Sequence, residues 1–242
     1  MRRLDLELTA RGLAPSRSRA AAMIKAGQVS VNGKSCQRAA EPISPEDAVE
    51  TTGGHGHVGR GGLKLQAAFE LFAPDVGGLE AIDVGASTGG FTQCLLNHGA
   101  ALVYAVDVGH GQLAPALLSD DRVINMEGYN FRIAEPEHFE PRPQFASCDV
   151  SFISLKHILP PLFGVLADGA KAIVLIKPQF EQESRQALDK HGIVKTEQAR
   201  GYAVARAHKY ASDAGFTVVD TVRSPVEGGG GNIEYLCLME KS

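Results

Sequence analysis

The chain has 242 residues, 44% of them hydrophobic and 21% charged, with a formal net charge of −4. This composition excludes collagen-like, coiled-coil and fully disordered chains, and the longest apolar runs, such as Ala100 to Val106, fall far short of the roughly 20 residues a membrane-spanning helix needs. Met1-Arg2-Arg3-Leu4-Asp5-Leu6-Glu7 puts carboxylates where a secretion signal needs apolar residues, so a cytoplasmic protein without membrane insertion is expected. Residues 1–40 carry eight basic side chains and two acidic ones, a local +6 that leaves −10 on the rest. A basic module on an acidic body suits a protein whose first part holds a polyanion, and nucleic acid is the obvious one. Ser16 is placed to cap a helix running to Ala26, with Ala20, Met23 and Ile24 as its apolar stripe and Gly27 as its stop. Val29-Ser30-Val31-Asn32-Gly33-Lys34 then alternates into an Asn-Gly turn, the pattern of a β-hairpin. The expected unit is helix, helix, strand, turn, strand. Residues 51–59 have connector composition, so a small α+β domain over 1–58 and a larger one over 59–242 are expected.

From Arg60 onward strand-like runs alternate with helical patterns. Strands are predicted at 80–84, 102–107, 122–125, 144–149, 171–176, 216–222 and 233–239, and helices at 62–72, 90–97, 155–167 and 196–214. Such alternation predicts an α/β fold, a mainly parallel, Rossmann-like sheet of seven strands that binds ligands at the carboxyl ends of its strands. The first strand runs into Asp83-Val84-Gly85-Ala86-Ser87-Thr88-Gly89-Gly90-Phe91, a glycine loop that lets the backbone approach a ligand closely. It is not Gly-x-Gly-x-x-Gly and lacks a Lys-Ser/Thr pair, which argues against a dinucleotide and against ATP. Asp107 ends the second strand 22 residues after Gly85, where a carboxylate can accept from both ribose hydroxyls. With Asp83 suited to a cationic amino-acid moiety, S-adenosylmethionine is the favoured cofactor. Asp83, Gly85, Ser87, Gly89, Gly90, Phe91, Asp107 and Asp149 are the candidate contacts.

Asp149, Lys177 and Glu234 stand at or just beyond strand ends, and Lys64 opens the first helix of the larger domain. If the sheet forms as predicted, these four converge on one cleft. A ribose 2′-hydroxyl is a very weak acid, and a lysine takes its proton only as the neutral amine. A second ammonium and partial desolvation favour that form, while carboxylates orient the nitrogen. Lys177 is therefore the candidate base, held by Asp149, with Lys64 and Glu234 positioning the ribose. Cys36, Cys94, Cys148 and Cys237 are widely spaced, with no Cys-x-x-Cys pair and no nucleophile motif, and His55-Gly56-His57 lacks a third ligand, so no metal is expected.

Ser16-Arg17-Ser18-Arg19-Ala20, Ile24, Gly27 and Val29 to Lys34 resemble the ribosomal-protein-S-four-type RNA-binding domain. This resemblance, over residues 1 to about 50, implies RNA, with no DNA expected, and makes Arg17, Arg19, Lys25 and Lys34 candidate RNA contacts; Arg60, beyond the connector, is a further candidate. Arg60-Gly61-Gly62-Leu63-Lys64-Leu65, the glycine loop with Thr92, Cys148-Asp149-Val150-Ser151-Phe152-Ile153-Ser154-Leu155, Lys177-Pro178-Gln179-Phe180-Glu181 and Gly231-Asn232-Ile233-Glu234 resemble the TlyA family over nearly the whole chain. Its members are similar to FtsJ-type ribose methyltransferases, whose last strand is antiparallel and whose Lys-Asp-Lys-Glu tetrad maps onto Lys64, Asp149, Lys177 and Glu234. What the resemblance implies is 2′-O-methylation of cytidine in ribosomal RNA, on a ribosomal subunit or free RNA. The abrupt ends of the chain resemble a shorter variant that prefers the large subunit. Because the family is often labelled hemolysin, a membrane-lysing protein is one alternative, and a non-catalytic RNA-binding factor is another. Two departures from the family pattern stand at Gly59 and at Glu227-Gly228-Gly229-Gly230-Gly231, the second expected to loosen the loop beside Glu234.

Overall fold

The computed structural model describes residues 2–11, 13, 14, 17–25, 27–51 and 61–241. Ser16, Arg60, the side chain of Arg19 and most of the connector lie outside the described residues. The chain divides into two units, Met1–Gly56 and His57–Ser242. In the first, β1 (Arg2–Arg3), α1 (Leu4–Ala10) and α2 (Arg17–Lys25) precede β2 (Val29–Val31), β3 (Lys34–Ser35), β4 (Pro42–Ile43) and β5 (Val49–Thr51). Asn32 and Gly33 both have positive φ, 52° and 76°, the backbone a two-residue hairpin turn demands, and Asn-Gly tolerates it. Leu4 and Leu8 of α1, Ala20 and Ile24 of α2, Val29 and Ile43 are buried together as the unit's core. Asp5, 2% exposed, accepts from Arg3 at 3.0 Å and from Arg17 Nε at 2.9 Å, and the two guanidiniums hold its carboxyl well below the usual carboxylate range. Arg17 therefore ties the first turn of α2 to α1 while its side chain stays 59% exposed, and Lys25 and Lys34 are exposed as well. Replacing Arg17 with alanine is expected to flatten the salt dependence of RNA binding by about one released counterion. Because Arg3 remains on Asp5, the melting temperature should change little. A filter-binding salt titration checks this, and an unchanged slope would take Arg17 off the RNA surface.

The second unit holds α3 (Gly61–Phe72), β6 (Glu80–Val84), α4 (Gly90–Asn97), β7 (Leu102–Asp107), α5 (Pro115–Leu118), β8 (Val123–Glu127), β9 (Phe145–Cys148), α6 (Leu159–Val165), β10 (Lys171–Ile176), α7 (Glu197–Ala214), β11 (Phe216–Arg223) and β12 (Tyr235–Lys241). The strands form one sheet in the order β11-β12-β10-β9-β6-β7-β8. All neighbours are parallel except β12, which runs antiparallel to both β10 and β11. Side chains alternate across the sheet. Ile82, Val84, Tyr104, Val106, Val174 and Ile176 pack with Leu159, Leu162, Ala207 and Ala211 of α6 and α7. Ala81, Val103, Ala105, Ile173 and Leu175 pack with Leu65, Phe69, Cys94 and Leu95 of α3 and α4 on the other face. With β7 on one side of β6 and β9 on the other, the order of strands reverses there, so the crevice expected for a ligand lies beyond the carboxyl ends of β6 and β9.

The helix predicted over 155–167 is shorter. A 3₁₀ turn at Leu155–His157 comes first, and α6 starts only at Leu159, with Pro160 in its first turn. Proline fits the first turn of a helix and not its interior, so the pair Pro160-Pro161 sets where α6 begins. The third strand of this sheet reaches Glu127, two residues beyond the predicted end.

Candidate active site

The glycine loop after β6 is held from two sides. Gly85 N and Ala86 N donate to Val106 O on β7 at 2.8 and 3.0 Å, and Asp149 N donates to Val84 O at 2.9 Å. Gly85 has φ +86°, and a Cβ there would lie 2.7 Å from the carbonyl oxygen of Asp149. The loops after β6 and β9 thus touch through a gap that only glycine fits. Ser87, also at positive φ (49°), donates its N–H to Asp107 Oδ2 at 2.8 Å, and Gly109 N donates to Oδ1 at 2.7 Å. Two backbone donors therefore fix the carboxylate at the end of β7.

Two adjoining cavities open along these loops. The larger, about 580 Å³, has apolar walls that include Val84, Val106, Phe131 and Ile158, with Asp107, Gln112, Asn130 and Arg132 among its polar groups. The smaller, about 260 Å³, is lined by Lys64, Ser87, Gly90, Phe91, Asp149 and Lys177 among others. Gly85, Ser87, Asp149 and Ser151 belong to both.

The four predicted charged residues meet here. Lys64 Nζ, in the first turn of α3, is 2.6 Å from Glu234 Oε2 and 4.0 Å from Asp149 Oδ2. Lys177 Nζ, just past β10, is 2.5 Å from Asp149 Oδ1 and donates to Ser151 Oγ at 2.7 Å. Both lysines are only 8% exposed, and two carboxylates balance two ammoniums, which meets the requirement that buried charge be paired. The glycine run beside Glu234 folds back on itself as a short turn. Gly228 N donates to Asn232 O at 2.9 Å, and a Cβ on Gly228 would lie 2.0 Å from Glu234 Oε1, so the missing side chain lets the main chain close over that carboxylate.

Two predicted contacts stand elsewhere. Gly89 lines neither cavity and caps α4 at φ +93°. Asp83, expected to meet the cofactor, is fully buried and also lines neither cavity. Strand alternation turns it with Ala81 toward α4, where Thr92 Oγ1 donates to one carboxyl oxygen at 2.7 Å and Ser147 Oγ to the other at 3.0 Å. Loss of solvation pushes its pKa up to about 7, against the two hydroxyl hydrogen bonds, which pull it down. Since the native carboxyl keeps its proton above the ordinary value near 3.8, its contribution to stability is full below that value and is lost as pH rises through about 7. Relative to Asp83→Asn, which carries no titrating group, the wild-type melting temperature is expected to fall by roughly 5 to 10 °C between pH 5 and pH 8. Parallel curves in a thermal scan across that range would show that Asp83 is already ionised.

Sequence reasoning passed over three residues. Ser151 stands two positions past Asp149, a spacing that signals a shared side at a strand end. Glu127 pairs in register with Asp107 and accepts from the backbone of Gln112 and Leu113, bonds that hold its carboxyl at about 2. Gln112 accepts from Ser87 Oγ through Oε1 at 3.2 Å. Burial raises the thiols of Cys94 and Cys148 to about 12 and that of Cys237 to about 11, which keeps all three protonated.

Residues 57–241 match the family model described as FtsJ-like methyltransferase, and residues 2–49 match the S4 domain. A Mycobacterium tuberculosis protein named 16S/23S rRNA (cytidine-2'-O)-methyltransferase TlyA is 42% identical over 96% of this chain and 87% of its own length. Hemolysin A of Brachyspira hyodysenteriae is also 42% identical, over 97% of this chain and 98% of its own. A solved hemolysin-labelled structure from Streptococcus thermophilus superposes with a TM-score of 0.77 at 43% identity, covering 99% of this chain and 88% of that one. Matched in both its parts and alike to these relatives almost from end to end, the chain belongs to the TlyA family of FtsJ-like methyltransferases.

Proposed function

We propose that the chain transfers a methyl group from S-adenosylmethionine to the ribose 2′-hydroxyl of a cytidine in ribosomal RNA. The observation that carries this is the joining of Lys64, Asp149, Lys177 and Glu234 in linked ion pairs against a cavity that the glycine loop shares. The donor set fits an adenosyl group: apolar walls flank the larger cavity, and Asp107 offers acceptor oxygens to ribose hydroxyls. When bound, S-adenosylmethionine supplies an electrophilic methyl group. Lys177 takes the proton of the acceptor hydroxyl at Nζ, with Asp149 holding that nitrogen in place. Lys64, anchored by Glu234, sets a positive charge beside the oxygen as it turns anionic. Most of the rate gain asked of the protein is orientation of the hydroxyl toward the donor.

The name of the Mycobacterium tuberculosis relative supports cytidine and ribosomal RNA, and the S4 domain supports an RNA substrate held by the N-terminal unit, whose first 40 residues carry a net +6. The partner proposed with this substrate is a ribosomal subunit, and the compartment proposed is the cytoplasm. Among the described residues no helix is long and apolar enough to cross a membrane, and nothing in the site favours lysis. Primer extension at limiting nucleotide over both large ribosomal RNAs, from strains with and without the gene, tests the proposal. The expected result is a pause at a cytidine that disappears with the gene, and identical patterns would refute it.

A further inference from the structure

We infer that Ser151 is a positioning residue for the base, acting by fixing the direction of the Lys177 lone pair; this rests on the function proposed above. A lysine ammonium has three N–H donors, and the neutral amine that accepts a proton has two and a lone pair. Among the described residues Lys177 Nζ donates a hydrogen bond to Ser151 Oγ at 2.7 Å, whereas Asp149 Oδ1, 2.5 Å away, holds it as an ion pair and accepts no hydrogen bond. The bond to Ser151 stops rotation about Cε–Nζ, and the charge of Asp149 draws the other N–H to its side, which leaves the lone pair one direction. With Asp149 alone, the amine turns freely about its Cε–Nζ bond. Ser151 also lines both cavities, so its hydroxyl stands where the donor and acceptor spaces join.

The surrounding backbone marks Ser151 as placed for a purpose other than packing. Ser151 is exposed, although the nitrogen it binds is buried. The next residue, Phe152, has φ +63°, a left-handed conformation that is strained for an aromatic side chain and that persists only where neighbours enforce it. Here both ends of the loop are tied. Asp149 N donates to Val84 O, and at the far end Ser154 Oγ and Leu155 N donate to the buried Glu181 at 2.6 and 2.8 Å. The strained turn brings the Ser151 hydroxyl to Lys177 and leaves the Phe152 ring 92% exposed, 5.2 Å from that of Phe180.

The test compares Ser151→Ala, Ser151→Thr, Lys177→Ala and the double variant Ser151→Ala/Lys177→Ala in single-turnover methylation of unmodified ribosomal subunits. Ser151→Ala is expected to lose about tenfold or more in kcat. Its RNA KM, its calorimetric Kd for S-adenosylmethionine and its melting temperature should stay within about twofold or a degree or so of wild type. Ser151→Thr, which keeps the hydroxyl, should recover most of the loss. The double variant should be no slower than Lys177→Ala, because the serine acts only through that lysine. Wild-type kcat in Ser151→Ala, failure of threonine to rescue, or a further loss in the double variant would each overturn the inference. If Lys177→Ala itself turns over normally, the assignment of the base has failed first, and that outcome is distinguishable from failure of Ser151 alone.

Discussion

Lys177→Ala is expected to lower methyl transfer by about 10³-fold or more while binding the donor within about twofold of wild type. The large effect follows from position. Lys177 Nζ borders the smaller cavity and is absent from the walls of the larger one, whose apolar surface and Asp107 suit the donor. Removing the amine also strands the Asp149 carboxylate, which among the described residues keeps only Lys64, 4.0 Å away, as an ion-pair partner. A general base contributes roughly 10² to 10⁴ in rate, so the loss belongs in kcat. Single-turnover transfer of labelled methyl, beside a calorimetric titration with S-adenosylmethionine, separates the two effects. Near-normal transfer by the variant would remove Lys177 from the reaction.

Gly85→Ala is expected to weaken donor binding by at least about tenfold and to lower stability by roughly 2 to 4 kcal/mol. The φ of +86° disfavours any Cβ, and the added carbon would stand 2.7 Å from Asp149 O, 3.0 Å from its carbonyl carbon and 3.2 Å from Val150 N. These are backbone atoms tied to β6, so no rotamer change relieves the contact. The loops after β6 and β9 must part, and both cavities are built on that junction. Donor titration and a thermal melt check the prediction, and donor affinity within about twofold of wild type would show that the junction yields more easily than its geometry implies.

What the sequence disclosed, and what it withheld, follows from where each residue stands. Asp107, Asp149 and Lys177 were legible because each stands at or just past the carboxyl end of a parallel strand, and Glu234 reaches the same edge because it precedes β12, which runs antiparallel to its neighbours. The burial of Asp83 follows from its place inside a strand, where alternation puts its side chain on the same face as Ala81, toward Thr92 of α4. Ending the third strand of the sheet at Asn125 hid Glu127, whose carboxylate organises the loop around Gln112. In the N-terminal unit β1, β4 and β5 are two or three residues long, too short for any period to show, and they exist because tertiary pairing selects them. The glycine run before Asn232 signalled looseness by composition, yet Gly228 is needed there because Glu234 leaves no room for a side chain.

The most direct measurement follows isotope-labelled methyl from S-adenosylmethionine into ribosomal RNA, using wild type and Asp149→Ala, with nuclease digestion and mass spectrometry of the nucleosides. Label in 2′-O-methylcytidine with wild type, and none above background with the variant, is the predicted result. Label on a base carbon or an exocyclic nitrogen, or equal labelling by the two proteins, would contradict a cluster of two lysines and two carboxylates working on a sugar hydroxyl.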